Sequence, residues 1–153
     1  MKLNKQSFSL IEVIIFVAIL SLFFVTGMAV VVYSLQTMKT SQHKMIATQY
    51  AQQLATWIKT QKETDWKTFI SHSSTVGISF CFKTSPIPDW PSVGTCGSSD
   101  YINVSPPIFI RSVTLTSDSD TSPSKVDIDI LLSWNEANNT YSVPLNTIVS
   151  RFE

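Results

Sequence analysis

Residues 13–38 contain no charged side chain, and from 13 to 33 almost every position is apolar, reading VIIFVAILSLFFVTGMAVVVY. A helix needs about 20 such residues to cross a hydrocarbon core of roughly 30 Å. A helix packed in a globular core keeps one polar face, and this run has none. The sequence therefore predicts a membrane-spanning helix, and the remaining chain must be arranged around it.

The 153 residues leave room for one compact domain beside that helix, not for two. The formal net charge is zero, but the charge is divided. Residues 1–70 carry seven lysines against Glu12, Glu63 and Asp65, whereas the remainder carries four cations against eight acids. A basic first half and an acidic second half read as two solvated surfaces. All seven prolines lie after residue 85, and Gly27 is the sole glycine before Gly77. The first half is free to be helical and the second is punctuated by turns.

Beyond the apolar run, Ile46, Tyr50, Leu54, Trp57 and Ile58 recur at helical spacing among Gln, Thr and Lys. This predicts an amphipathic helix over residues 39–70, continuous with the span, whose apolar stripe needs cover. Alternating strands supply it. Val76, Ile78, Phe80 and Phe82 define one, and Val126, Ile128, Ile130, Leu132 and Trp134 another. A weaker strand is expected over 108–116, and a fourth over 140–150 with Tyr141, Val143, Leu145 and Val149 on one face. Residues 135–139 (NEANN) form a hairpin connection. The fold class is α+β: a long N-terminal helix, half membrane and half amphipathic, packed on a C-terminal antiparallel sheet.

Cys81 and Cys96 both follow the span. In an exported head they either remain free thiols or form a bridge closing a loop of about 15 residues, worth about 3 kcal/mol in the chain-entropy treatment. Cys81 alternates with Phe80 and Phe82, so it points away from the core and toward the Pro/Gly/Ser-rich loop 84–100 that holds Cys96. Placement and periodicity both favour the bridge. The loop 117–124 (SDSDTSPS) reads as mobile. Asp118 and Asp120 there lack further ligands at calcium-loop spacing, so the expected metal content is none.

The stretch that carries chemistry is Lys5-Gln6-Ser7-Phe8-Ser9-Leu10-Ile11-Glu12-Val13. Lys2 and Lys5 precede the span, which keeps the leader cytoplasmic and sends the C-terminal region outward. Glu12 places a carboxylate at the edge of the apolar run, where it needs a partner. The combination of a basic leader, a small residue, Phe-Ser-Leu-Ile-Glu and a long apolar stretch resembles the prepilin signal of type IV pilins and type II secretion pseudopilins. The resemblance is sharp over about the first 35 residues; beyond them the ending VDIDILLSW…YSVPLNTIV is similar to the last hairpin of minor pilins and minor pseudopilins.

That resemblance implies a function. A prepilin peptidase cuts between Ser7 and Phe8, the new amine of Phe8 is methylated, and Glu12, the fifth mature residue, assists assembly. It divides the chain into a leader 1–7, a membrane and assembly helix 8–38, an amphipathic half 39–70 and a head 71–153. It implies a single pass through the cytoplasmic membrane with the head outside, followed by incorporation in a pilus or pseudopilus. The partners are the peptidase, other pilin or pseudopilin subunits, the inner-membrane assembly platform, and lipid before assembly; no cofactor is implied. The family usually has glycine where Ser7 stands, and many major pilins carry a proline near position 29, where this span offers only Gly27. Both departures fit a minor subunit. Pilus, secretion and competence filaments share this N-terminus, so the reading is a minor pilin with a minor pseudopilin as its alternative.

Blander readings exist. Ser9 and Glu12 match a helix capping box that any signal anchor could use, and a generic anchored binding module would keep its leader. His43 and His72 lie in polar surroundings and read as surface residues, and no phosphate loop, zinc spacing or nucleophile elbow is present. The chain is not expected to be an enzyme. Trp57, Trp66, Trp90 and Trp134 read as packing or interface residues. Lys39, Lys44, Lys59, Lys62 and Lys67 spread along a helix without clustering, which disfavours nucleic acid as a partner.

Overall fold

The computed structural model describes residues 9–136 and 139–151. The chain divides into two compact units, Met1–Ser41 and Gln42–Glu153. Helix α1 covers Leu10–Thr64. With no proline and one glycine, nothing in this stretch interrupts the backbone ladder. Polar side chains inside the apolar part satisfy themselves locally: Ser21 donates to the Ala18 carbonyl at 2.8 Å, and Thr26 donates to the carbonyls of Leu22 and Phe23 at 3.1 and 2.9 Å. The helix passes through Gly27 without a break.

The expected amphipathic helix over 39–70 is interrupted once. α1 ends at Thr64, and α2 covers Trp66–Ile70. Asp65 stands between them in an extended conformation (φ −153°), and its carboxylate accepts from the Lys67 amide at 2.9 Å and from the Thr68 hydroxyl. A short polar residue that caps a new helix competes with continuation of the old one.

In the unit Gln42–Glu153, the sheet is antiparallel in the order β1 (Ile78–Cys81), β2 (Phe109–Ser117), β3 (Lys125–Glu136) and β4 (Asn139–Ser150). Register aligns apolar rows across its inner face. Phe80 pairs with Val113, Val113 with Ile130, and Ile130 with Leu145. Against this face the α1 residues Ala47, Ala51, Leu54 and Ile58 are fully buried. Their spacing of four, three and four marks one helical face. The sequence stripe is corrected here: Ile46 is 37 % exposed, and two alanines take the seam instead. The seam thus combines two small side chains, Ala47 and Ala51, with two larger ones, Leu54 and Ile58.

β1 is shorter than its alternation suggests. Gly77 adopts φ +80°, and a Cβ there would meet Thr114 Cγ2 and Thr116 Oγ1, both at 3.1 Å. That turn ends the strand pattern, so Val76 does not join Phe80 inside and is 92 % exposed. β2, expected as the weaker strand, has a strictly alternating burial pattern from Phe109 to Ser117. The β3–β4 pairing extends to Glu136 and Asn139, so most of the expected 135–139 connection is strand; its central residues 137 and 138 lie outside the described residues.

Two loops are held more firmly than their composition suggests. Cys81 and Cys96 are disulfide-bonded, which joins loop 84–100 to the outer side of β1. The segment 117–124 is not loose: Asp118 accepts from the amides of Ser124 and Lys125 at 3.0 and 3.3 Å, and Asp120 accepts from the Thr75 amide and hydroxyl, both at 2.8 Å.

The seam gives a direct contrast. Leu54→Ala should cost roughly 2–5 kcal/mol, because it opens a cavity in a buried site. Ile46→Ala should change stability by less than about 0.5 kcal/mol. Denaturant unfolding of the detergent-solubilised chain, followed by tryptophan fluorescence, measures both; equal losses would refute this placement of the seam.

Candidate functional site

The N-terminal part of α1 is a helix long and apolar enough to cross a membrane, with mean hydropathy 2.8 over its most apolar window. Its large apolar side chains from Leu10 to Met38 are between 41 % and 78 % exposed. A soluble monomer rarely leaves such a contiguous apolar surface bare; lipid or other protein surfaces are its natural cover. Glu12 lies in the first turn of α1 and is exposed. It is the lone acid of this segment among the described residues, and it sits where the helix dipole favours negative charge.

The Ser9 carbonyl accepts from the amides of Glu12 and Val13 at 3.0 and 3.3 Å, which starts the helix. These are backbone bonds. Among the described residues, the reciprocal side-chain bonds of a capping box between Ser9 and Glu12 are not formed. Ser7 and Phe8, the expected processing and methylation positions, lie outside the described residues.

In the unit Gln42–Glu153, neither histidine is a plain surface residue. His43 Nδ1 lies 3.0 Å from Glu136 Oε2, each side chain being 16 % exposed, and its ring meets Phe109 edge-on. His72 stacks on Trp90 at 4.3 Å with an interplanar angle of 12°. Trp90 in turn packs on Trp57, Phe80 and Phe82 at 5.0, 5.2 and 6.0 Å. Trp66 lies against Phe69, and Trp134 stacks on Tyr141. All four tryptophans therefore take part in packing. Among the described residues, no group of three or more His, Cys, Asp or Glu side chains could hold a metal ion.

The residue that sequence reasoning missed is Arg111. It is fully buried in β2, on the same face as Phe109, Val113 and Leu115. Its Nη1 donates to the Tyr50 carbonyl and Gln53 Oε1 at 3.3 and 3.4 Å, and its Nη2 donates to the Thr84 carbonyl at 2.7 Å. One guanidinium thus ties α1, β2 and the start of loop 84–100 together. Burial pushes its pKa down to about 10, so it stays protonated at neutral pH. The signal was present: position 111 shares the parity of three core residues. A groove of about 520 Å³ lies over this loop, lined in part by Trp90, Lys83 and Asp100. Lys83 and Asp100 neutralise one another there at 2.7 Å.

No family model, no curated protein and no solved structure matches the chain. The long apolar N-terminal helix and the antiparallel sheet are compatible with a pilin-like fold.

The carboxylates supply a pH dependence. Hydrogen bonds from Ser124 hold the Asp118 pKa below its ordinary value, and those from Thr75 do the same for Asp120. Thr68 lowers Asp65 and Lys83 lowers Asp100. The unfolded chain therefore binds more protons than the folded one in acid. This contribution to stability is complete above the ordinary carboxylate pKa of about 4 and is lost as pH falls through the lower folded values. Denaturation midpoints should drop between about pH 5 and pH 2. In Asp118→Asn/Asp120→Asn the drop should be shallower; an unchanged slope would show that these two carboxylates contribute nothing.

Proposed function

We propose that this chain is a structural subunit, of minor pilin type, in a type IV pilus-like filament. The observation that carries this reading is the bare, uncharged apolar helix with a single carboxylate, Glu12, in its first turn. In this reading the helix first sits in the cytoplasmic membrane, with the head outside. A prepilin peptidase removes residues 1–7, and the amine of Phe8 becomes the methylated N-terminus. The helix then leaves lipid for a bundle of like helices, guided by the assembly platform.

The physical role of Glu12 follows from desolvation. A carboxylate in an apolar bundle is costly without a partner, and the new N-terminal amine of a neighbouring subunit is a cation at the matching depth. Pairing the two makes the correct axial register cheaper than any shifted one, because a shift leaves both charges unpaired in a low dielectric. Van der Waals packing along the uncharged stretch then holds the bundle without specifying register itself. The same geometry serves a minor pseudopilin in a secretion or competence filament.

Co-expression with a prepilin peptidase should yield a mature chain beginning at Phe8, read by N-terminal sequencing or intact mass. An intact leader, or cleavage after the span, would exclude the filament-subunit reading. Glu12→Ala should leave that cleavage unchanged while reducing recovery in sheared surface filaments roughly tenfold or more, the scale of one lost charge pair. Undiminished recovery would reduce Glu12 to a residue of the helix end.

A further inference from the structure

The two edges of the sheet are treated differently. The β1 edge is covered by the disulfide-held loop: Phe80 bridges to Val93, and the Gly94 amide donates to the Ser79 carbonyl at 2.9 Å. β4 forms the opposite edge, and among the described residues nothing pairs with its outer side. It is long for an edge, Asn139–Ser150, and carries no charged residue. Edge strands are commonly protected by charge, by proline or by brevity, and here only Pro144 serves.

Backbone direction can be read along β4. The Arg151 amide donates to the Ser124 carbonyl at 3.1 Å, so odd-numbered positions turn their backbone groups toward β3. Even-numbered positions then turn theirs outward. Pro144 is even-numbered, so its missing N–H costs the sheet nothing but blocks pairing there. The usable outward run is Asn146, Ile148 and Ser150, with Ile148 55 % exposed. On the covered edge, the Gly94 bond and the Phe80–Val93 bridge leave the Val93 N–H and C=O facing out, and Val93 is 69 % exposed.

We propose that the β4 edge pairs with the Val93 segment of a second copy lying side by side in the same orientation. This rests on the filament reading. An antiparallel β4–β4 pair would reverse one head relative to the other, whereas subunits drawn from one membrane share polarity. Side-by-side copies of one polarity bring β4 against the neighbour's β1 edge, which is the Val93 segment. β1 is antiparallel to both β2 and the Val93 segment, and β2 runs with β4, so the new pair is parallel. In a parallel ladder one residue bonds to the two that flank its opposite number. Val93 placed opposite Thr147 gives its N–H to the Asn146 carbonyl and receives the Ile148 N–H. Neither segment brings a charge to the contact, so no like-charge pair opposes it. Such a contact is too short to hold free molecules together; it acts at the high local concentration of an assembled array. It is heterologous and therefore open-ended, as a filament requires.

The test places a photo-crosslinking amino acid at Ile148 of the full chain, in cells that process and assemble it. Adducts are mapped by mass spectrometry in the membrane and sheared-filament fractions. The expected adduct joins position 148 to residues 92–95 of a second copy. Val93→Pro, which removes the outward N–H, should lower its yield roughly tenfold, and Val93→Ala, which keeps it, should not. A thiol count confirming the Cys81–Cys96 bridge shows that each variant is folded. With the chain present in sheared filaments, an adduct to β4 of a second copy, an adduct to another protein, or no adduct overturns the contact and leaves the filament reading standing. Absence of the unsubstituted chain from sheared filaments overturns the filament reading, and the contact with it.

Discussion

The head depends on one act of burial: the α1 seam Ala47, Ala51, Leu54 and Ile58 closing on the inner face of the sheet. A four-stranded sheet has two faces and cannot bury either alone. The inner rows from Phe80 through Val113 and Ile130 to Leu145 gain their dry environment from the helix. At about 25 cal/mol per Å² of apolar surface removed from water, this interface outweighs any single polar bond in the head. The loops follow from it. Ile102 packs with Ala47 in the second cluster, and Trp90 packs against the first.

Arg111 shows the opposite economy. A fully buried guanidinium with no carboxylate beside it among the described residues opposes folding through its desolvation, and its three acceptors are neutral oxygens. Buried charges of this kind are poor contributors to net stability, yet their removal strands every acceptor they served. The acceptors come from helix, helix side chain and loop. Arg111 therefore fixes where loop 84–100 begins relative to α1, a matter of geometry that an apolar side chain could not specify. The disulfide fixes the same loop at its other end.

Much of this was legible in the sequence, because much of it is periodic. The β3 alternation from Val126 to Trp134 names its buried face correctly, and so does that of β4 from Tyr141 to Val149. The same alternation, which turned Cys81 outward, favoured a bridge to Cys96 over free thiols, and the bridge is formed. What failed was whatever depends on partners distant in sequence. Ile46 looked like a seam residue because it is apolar and at helical spacing, but the buried face of α1 passes through the neighbouring Ala47. The segment 117–124 looked loose because its composition is Ser and Asp, yet Asp120 finds Thr75 forty-five positions away. His72 looked polar and exposed, and its stacking on Trp90 depends on where loop 84–100 comes to rest. For the candidate site, Glu12 and the apolar run were visible at once, since both are local features of one helix.

One feature of α1 bears on how such a chain can vary. Its residues 10–38 present exposed apolar side chains, while Ala47, Ala51, Leu54 and Ile58 are fully buried against particular neighbours. Lipid asks of the first stretch only an apolar composition, so exchanges among Leu, Ile, Val and Phe are mild there until like helices pack on it. The second encodes sizes, so even Ala51→Val would overpack a fully buried site, at a cost of about 1–3 kcal/mol. A single unbroken helix thus carries two alphabets of different strictness, and a mutational scan along it would change character close to Ser41.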